Sequence, residues 1–170
     1  MSLDVGFEQI NRLRILRNFA LIRRCVVNKA EQAVEDFNRG FNCAQAVFSV
    51  FAPELGMDRE KALKVAAAFG GGMARQGLTC GAVTGALMVL GLRHGMEMEG
   101  KSEAKEATYS RSRHFMQLFR ERRGSVSCSE MLGCDLSTPE GMKEAVEKGL
   151  FTTVCPRAVR DAVEILETLD

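Results

Sequence analysis

Cys80-Gly81-Ala82-Val83-Thr84-Gly85-Ala86-Leu87-Met88-Val89-Leu90-Gly91-Leu92 contains no charged residue, and its apolar side chains fall on nearly every face of a helical projection. A helix that is hydrophobic all round belongs inside a larger assembly of helices. At thirteen residues the run is short of the ~18 apolar residues that mark a membrane span, so it predicts the central, buried helix of a globular domain. Gly81 and Gly85 stand four apart on one face, where a second helix can approach closely.

The surrounding sequence repeats the helical period. Ala30, Ala33, Val34 and Phe37 form an i, i+3, i+4, i+7 stripe that Asn38-Arg39-Gly40 ends. Cys43 to about Ala52 is apolar on most faces and Pro53 stops it; Asp58 caps a third helix reaching Phe69, broken by Gly70-Gly71-Gly72. Ser102 caps a long helix to about Arg122, whose apolar end holds Phe115, Met116, Leu118 and Phe119. Cys128 opens a short helical turn, Thr138-Pro139-Glu140 starts a helix to Lys148, and the last helix runs from Pro156 with Val159, Ala162, Val163, Leu166 and Leu169 inward. No alternating strand run or Asn-Gly or Asp-Gly hairpin signal interrupts this pattern. The expected class is all-α, a single-domain helical bundle packed around the Cys43 and Cys80 helices. Residues 1–28 read as an N-terminal helical extension or arm, with Ile10, Leu13, Leu16 and Ala20 on one face, and residues 29–170 as the domain.

With 170 residues, one domain buries roughly 70% of its unfolded surface and needs no disulfide or zinc to hold together. Net charge is +1, with no Trp and one Tyr, which leaves no reason to expect nucleic acid. The charge is uneven: residues 1–28 carry +3, residues 111–123 carry +4 and residues 129–170 carry −5. Such faces pair within or between subunits, and meeting across a two-fold axis would make a homodimer. No signal peptide or membrane span is recognisable, so the chain reads as cytoplasmic. There, six cysteines point to catalysis, metal binding or redox sensing more than to a disulfide framework.

Four of those cysteines stand at expected helix starts. Asn42-Cys43-Ala44-Gln45 and Ser127-Cys128-Ser129-Glu130 have capping-box form, Thr79 precedes Cys80, and Pro156 follows Cys155 as the first helical residue. Partial positive charge at a helix N-terminus favours a thiolate, which is both nucleophile and metal ligand. Cys43, Cys80, Cys128 and Cys155 are therefore the candidate site residues; the plain alternative is that small buried thiols merely fill core space. Cys25 and Cys134 lack the context, although Cys134, six residues from Cys128, could resolve a disulfide.

Other motifs carry less. Gly72-Met73-Ala74-Arg75-Gln76-Gly77 has the frame of a phosphate loop, but Leu78 stands where lysine belongs and a helix precedes it. The glycines instead let backbone pass close to the Cys80 helix start, where Arg75 could supply positive charge. There is no C-x-x-C, C-x-x-C-H or H-x-x-x-H spacing, and His94 and His114 look like surface or helix-end residues.

Taken with their neighbours, these cysteines carry a resemblance. Gly40-Phe41-Asn42-Cys43-Ala44-Gln45-Ala46, Phe69-Gly70-Gly71-Gly72-Met73, Cys80-Gly81-Ala82-Val83-Thr84-Gly85, Cys128-Ser129-Glu130-Met131-Leu132-Gly133 and Cys155 occur in order. Over about Lys29 to Leu169 the chain resembles a bacterial and archaeal family defined by four cysteines and a CGAxxG motif, and described as redox-active. The resemblance implies an all-helical domain, redox or metal chemistry, and association with transporter systems. The same domain is joined to haem motifs in split-Soret cytochromes, but without C-x-x-C-H no haem is carried over here.

Three functions follow as expectations. The first is a thiol-redox protein in which the four cysteines converge and cycle between dithiol and disulfide, with no cofactor required, acting on a redox partner protein or a small disulfide substrate. Cys80, between small neighbours, is the expected attacking thiol. The second is a binding module in which the same four thiolates hold Zn²⁺, Cu(I) or an iron–sulfur cluster. The third is a structural or interaction protein linked to a transporter system, whose cysteines merely pack.

Overall fold

The computed structural model of the protein describes residues 28–95, 99 and 102–169. The expected arm, its Ile10–Ala20 face and Cys25 therefore lie outside the described residues, apart from Asn28. In chain order the helices are α1 (Lys29–Asn38), α2 (Cys43–Phe51), α3 (Arg59–Val65), α4 (Gly81–His94), α5 (Ser102–Arg123), α6 (Cys128–Leu132), α7 (Pro139–Glu147), α8 (Leu150–Thr153) and α9 (Cys155–Thr168). Single 3₁₀ turns, Ala52–Leu55 and Ala67–Phe69, follow α2 and α3. Among the described residues there is no strand, only an isolated antiparallel bridge between Thr79 and Ser127. The domain is all-α, and no described helix is long and apolar enough to cross a membrane.

The α2–α4 contact organises the core. A Cβ added at Gly85 would lie 2.7 Å from the Ala44 carbonyl oxygen and 3.0 Å from its Cα, and one at Gly81 would lie 3.0 Å from the Cβ of Cys43. The glycine pair thus does what its spacing predicts, bringing the heads of the two cysteine-bearing helices together. Residues Gly81–Ala86, Val89 and Leu90 of α4 are buried. Burial stops before the apolar run does, because Leu92 is exposed.

Around this pair, α1 presents Ala30 and Ala33 to the core and is capped by Asn28, whose side chain accepts the Ala30 N–H at 3.0 Å. Asp36 is also buried on α1, its carboxylate 2.7 Å from the Arg59 guanidinium. That pair ties α1 to α3 across 23 residues of sequence. Helix α9 buries Ala158, Val159, Ala162, Val163, Ile165 and Leu166. On its other side Arg122 of α5 reaches Glu164 at 3.1 Å, and Arg123 reaches Asp161 at 3.7 Å. The basic end of α5 and part of the acidic C-terminal region therefore meet within one chain.

Some expected boundaries shift. The Asp58-capped helix ends at Val65 and restarts as a 3₁₀ turn instead of running unbroken to Phe69. Thr152 and Thr153 are helical, and the last helix starts at Cys155, placing Pro156 second. Proline is tolerated there because that N–H has no intrahelical acceptor.

Candidate functional site

A strained loop delivers Cys80. Gly71, Gly72, Met73, Ala74 and Arg75 all adopt left-handed backbone, with φ of 61°, 66°, 62°, 51° and 65°. A left-handed non-glycine residue costs roughly 1–2 kcal/mol, so Met73, Ala74 and Arg75 must be held by their surroundings. The Ala74 N–H donates to the Ala68 carbonyl at 2.9 Å, Gly77 to Gly71 at 3.2 Å and Leu78 to Gly72 at 3.1 Å. The Asn42 amide also donates to the Ala67 carbonyl at 2.9 Å, fastening the preceding turn to the head of α2.

Beyond the loop, two cysteine-bearing segments run side by side. The Ser129 N–H donates to the Gly77 carbonyl at 3.0 Å, Cys128 to Leu78 at 2.6 Å, and Cys80 to Val126 at 2.8 Å. A side chain at Gly72 would collide with the Cβ of Cys128 at 2.7 Å. The heads of α4 and α6 are thus held together by backbone, and Gly81 brings in the head of α2.

The four candidate cysteines line one cavity of about 430 Å³. Their residues are 8%, 3%, 5% and 8% exposed for Cys43, Cys80, Cys128 and Cys155. Phe37, Met131, Leu136, Met142 and Phe151 contribute apolar wall, and Arg75 joins the lining. Cys43, Cys80, Cys128, Cys134 and Cys155 are all free thiols. Cys134 is buried outside this lining.

A family model described as "Putative redox-active protein (C_GCAxxG_C_C)" matches residues 41–169. The chain belongs to this family. Helix α1 precedes the matched residues. No curated protein and no solved structure matches the chain. The matched residues contain all four cysteines that share the cavity, although the GCAxxG of the family's name stands here as Cys80-Gly81-Ala82-Val83-Thr84-Gly85, with the first two letters exchanged.

The four cavity cysteines do not occupy equivalent helix positions. Cys43 is the first residue of α2, behind Asn42, whose side chain accepts the Gln45 N–H at 2.9 Å while Gln45 accepts the Asn42 N–H at 3.0 Å. Cys128 likewise starts α6 behind Ser127, whose hydroxyl accepts the Glu130 N–H at 3.4 Å. The expected capping box there is half made: the Ser127 N–H goes to the Ser125 hydroxyl at 3.0 Å, and Glu130 pairs with Ser125. Cys155 starts α9 behind Val154, which offers no side-chain cap. Cys80 alone is itself the N-cap, with extended backbone (φ −54°, ψ 138°), and Thr79 does not cap α4.

Contacts among the thiols and burial set their acidities, and helix position adds to them at Cys80. The Cys80 thiol is held below its usual value, first by the adjacent Cys43 thiol and then, against burial, by the Ala82 and Val83 N–H groups and the Arg123 charge. These N–H groups occupy the positions an N-cap side chain normally serves. Cys43 is pushed well above its usual value by the Cys155 thiol beside it, then by Cys80 and by burial. Burial drives Cys128 up to about 12, with the Cys80, Cys155 and Cys134 charges adding to it. Burial also raises Cys134. The cation acting on Cys80 is therefore Arg123, which sequence reasoning missed; Arg75, expected in that role, instead lines the cavity. No pattern in the sequence marks Arg123, since α5 carries it there from 43 residues away.

The donor set is soft enough for Zn²⁺, Cu(I) or iron–sulfur chemistry. Its arrangement does not fit: among the described residues no three His, Cys, Asp or Glu side chains are gathered so as to hold one ion. His114 is exposed and His94 ends α4.

Proposed function

We propose that this member of a redox-active family exchanges dithiol for disulfide at the Cys43–Cys80 pair. The observation that carries the reading is that four free thiols share one cavity while only Cys80 stands as an N-cap facing helix N–H groups. In the forward step the Cys80 thiolate attacks one sulfur of a disulfide R–S–S–R′, forming a Cys80–S–S–R bond and releasing R′S⁻. The neighbouring Cys43 then loses its proton to the released thiolate and attacks the Cys80 sulfur. This closes a Cys43–Cys80 disulfide and releases RS⁻, so two electrons pass to the substrate. The Cys155 thiol and burial continue to raise Cys43, but capture of Cys80 removes the contribution that Cys80 makes, which makes the resolving thiol easier to ionise once it is needed. The free state of the described cysteines suits a reducing compartment, and we place the activity in the cytoplasm.

Trapping tests this order. Reduced Cys43→Ser protein treated with 2-hydroxyethyl disulfide should accumulate one mixed disulfide on Cys80, visible by peptide mass. Cys80→Ser protein should form none at comparable rate. Equal trapping in both variants would sink the assignment. Stoichiometric zinc, copper or iron in anaerobically purified protein, lost together in Cys43→Ser, Cys80→Ser, Cys128→Ser and Cys155→Ser, would replace it with metal binding.

A further inference from the structure

We propose that the substrate of this site is a small-molecule disulfide bearing a carboxylate, with Arg75 at the cavity mouth as its recognition residue; this rests on the dithiol exchange proposed above. The first ground is access. Cys80 and its partners are at most 8% exposed and line the cavity. A disulfide within a folded protein carries two flanking chains on each sulfur, and attack requires the nucleophile in line with the S–S bond. A space of about 430 Å³ lies in the range of small-ligand pockets, roughly 300–1,000 Å³, and suits a small disulfide better than one carrying those chains.

The second ground is charge. Among the described residues Arg75 is the one basic residue in the lining, and no acidic residue joins it. It is also exposed, so Arg75 stands where the cavity meets solvent, while the rest of the lining is apolar apart from the thiols and Asn42. Arg75 is also the last of the left-handed run, φ 65°, and the Arg75 N–H is bound to the Gly70 carbonyl at 3.3 Å. The backbone therefore holds this side chain at the rim at a conformational cost that a merely solvated arginine would not require. A guanidinium pairs with a carboxylate in a planar, two-pronged fashion, which would leave the apolar, sulfur-bearing part of the molecule directed inward.

Turnover of such a substrate leaves the Cys43–Cys80 disulfide, and a dithiol reductant must return it to the thiols while itself becoming a disulfide. The test compares three disulfides of similar size on the reduced full chain: 3,3′-dithiodipropionate (anionic), 2-hydroxyethyl disulfide (neutral) and cystamine (cationic). Each rate of Cys43–Cys80 oxidation is divided by that disulfide's rate with free 2-mercaptoethanol, which removes leaving-group differences. The normalised rate should favour the anion over the cation by roughly tenfold. Arg75→Gln should bring the ratio to within about twofold and Arg75→Lys should keep its direction at a reduced size; Arg75 is exposed, and circular dichroism checks the fold. A ratio near one, a ratio unchanged in Arg75→Gln, or faster oxidation by the disulfides of insulin than by any small compound would overturn the substrate class and leave the dithiol exchange standing. Failure of every disulfide, small or protein, to oxidise Cys80 would overturn both.

Discussion

Cys80 and Cys128 lie in the same cavity, on segments bound to each other by backbone hydrogen bonds, and both are at least nine-tenths covered. Yet one thiol is held below its usual value and the other is driven to about 12. Cys80 heads a helix of 14 residues and Cys128 one of 5. Position matters as much as length. Cys80 is the N-cap, so N–H groups of the first turn are available to its sulfur. Cys128 sits one residue further in, behind Ser127, which has already taken the Glu130 N–H. The Ser127 cap thus takes an N–H that the Cys128 sulfur would otherwise face, whereas Cys80, as its own N-cap, has first-turn N–H groups acting on it in addition to the larger effect of the Cys43 thiol.

The largest consequence is in alkaline stability. Cys128 has a usual value of 9.0 and a folded value of about 12, so above pH ~9 the unfolded chain ionises first and the folded state is disfavoured. Its contribution is complete below that pH and is lost at up to about 1.4 kcal/mol per unit, or about 4 kcal/mol by pH 12. Cys80 has the opposite sign, and its contribution is lost as pH falls through its folded value. Urea unfolding with reductant at pH 8, 9 and 10 should give a shallower alkaline slope for Cys128→Ala, with the raised Cys43 and Cys134 supplying what remains, and a changed one for Cys80→Ala, which removes both the opposing Cys80 contribution and its part in raising Cys43 and Cys128. Identical slopes in all three proteins would break the comparison.

A smaller effect separates the two thiols kinetically. At pH 7 a difference of three or more pKa units gives Cys80 a thiolate fraction at least ~10³ larger, and the lower intrinsic nucleophilicity of the more acidic thiolate returns ~1.5 decades of that. Cys80 should therefore be alkylated by iodoacetamide at least about thirtyfold faster than Cys128. The fast phase should vanish in Cys80→Ser and persist in Cys128→Ser. A fast phase that follows Cys128 would reverse the roles.

These contrasts show which parts of the molecule local sequence reports. The charge-free run Cys80–Leu92 and the caps Asn42, Asp58, Ser127 and Thr138 are local signals, and each stands where the residues place it. The four cysteines were legible as a set because each begins a helix. Their ranking was not, since it depends on contacts among the thiols, on burial and on a one-residue difference in helix register that capping patterns blur. Met73, Ala74 and Arg75 have no local preference for left-handed backbone, and hydrogen bonds reaching back to Ala68, Phe69 and Gly70 hold them there. The apolar wall draws on residues as distant as Phe37 and Phe151, and burial of Asp36 depends on Arg59 of another helix. Such pairings are decided by tertiary packing, which helical period does not encode.

The smallest predicted effect tests whether the cap or the helix keeps Cys128 silent. Ser127→Ala removes a hydroxyl whose bond to the Glu130 N–H is long, at 3.4 Å, so the loss of stability should fall at the low end for an N-cap, about 0.5–1 kcal/mol. It also frees that N–H for the neighbouring sulfur. If burial and the shortness of α6 dominate, as the leading place of burial among the causes implies, alkylation of Cys128 should quicken by less than about threefold. A rise of tenfold or more, with the Cys80 rate unchanged, would show that Ser127 alone suppresses the thiol. Length would then drop out of the comparison, and the N-cap would remain as its cause.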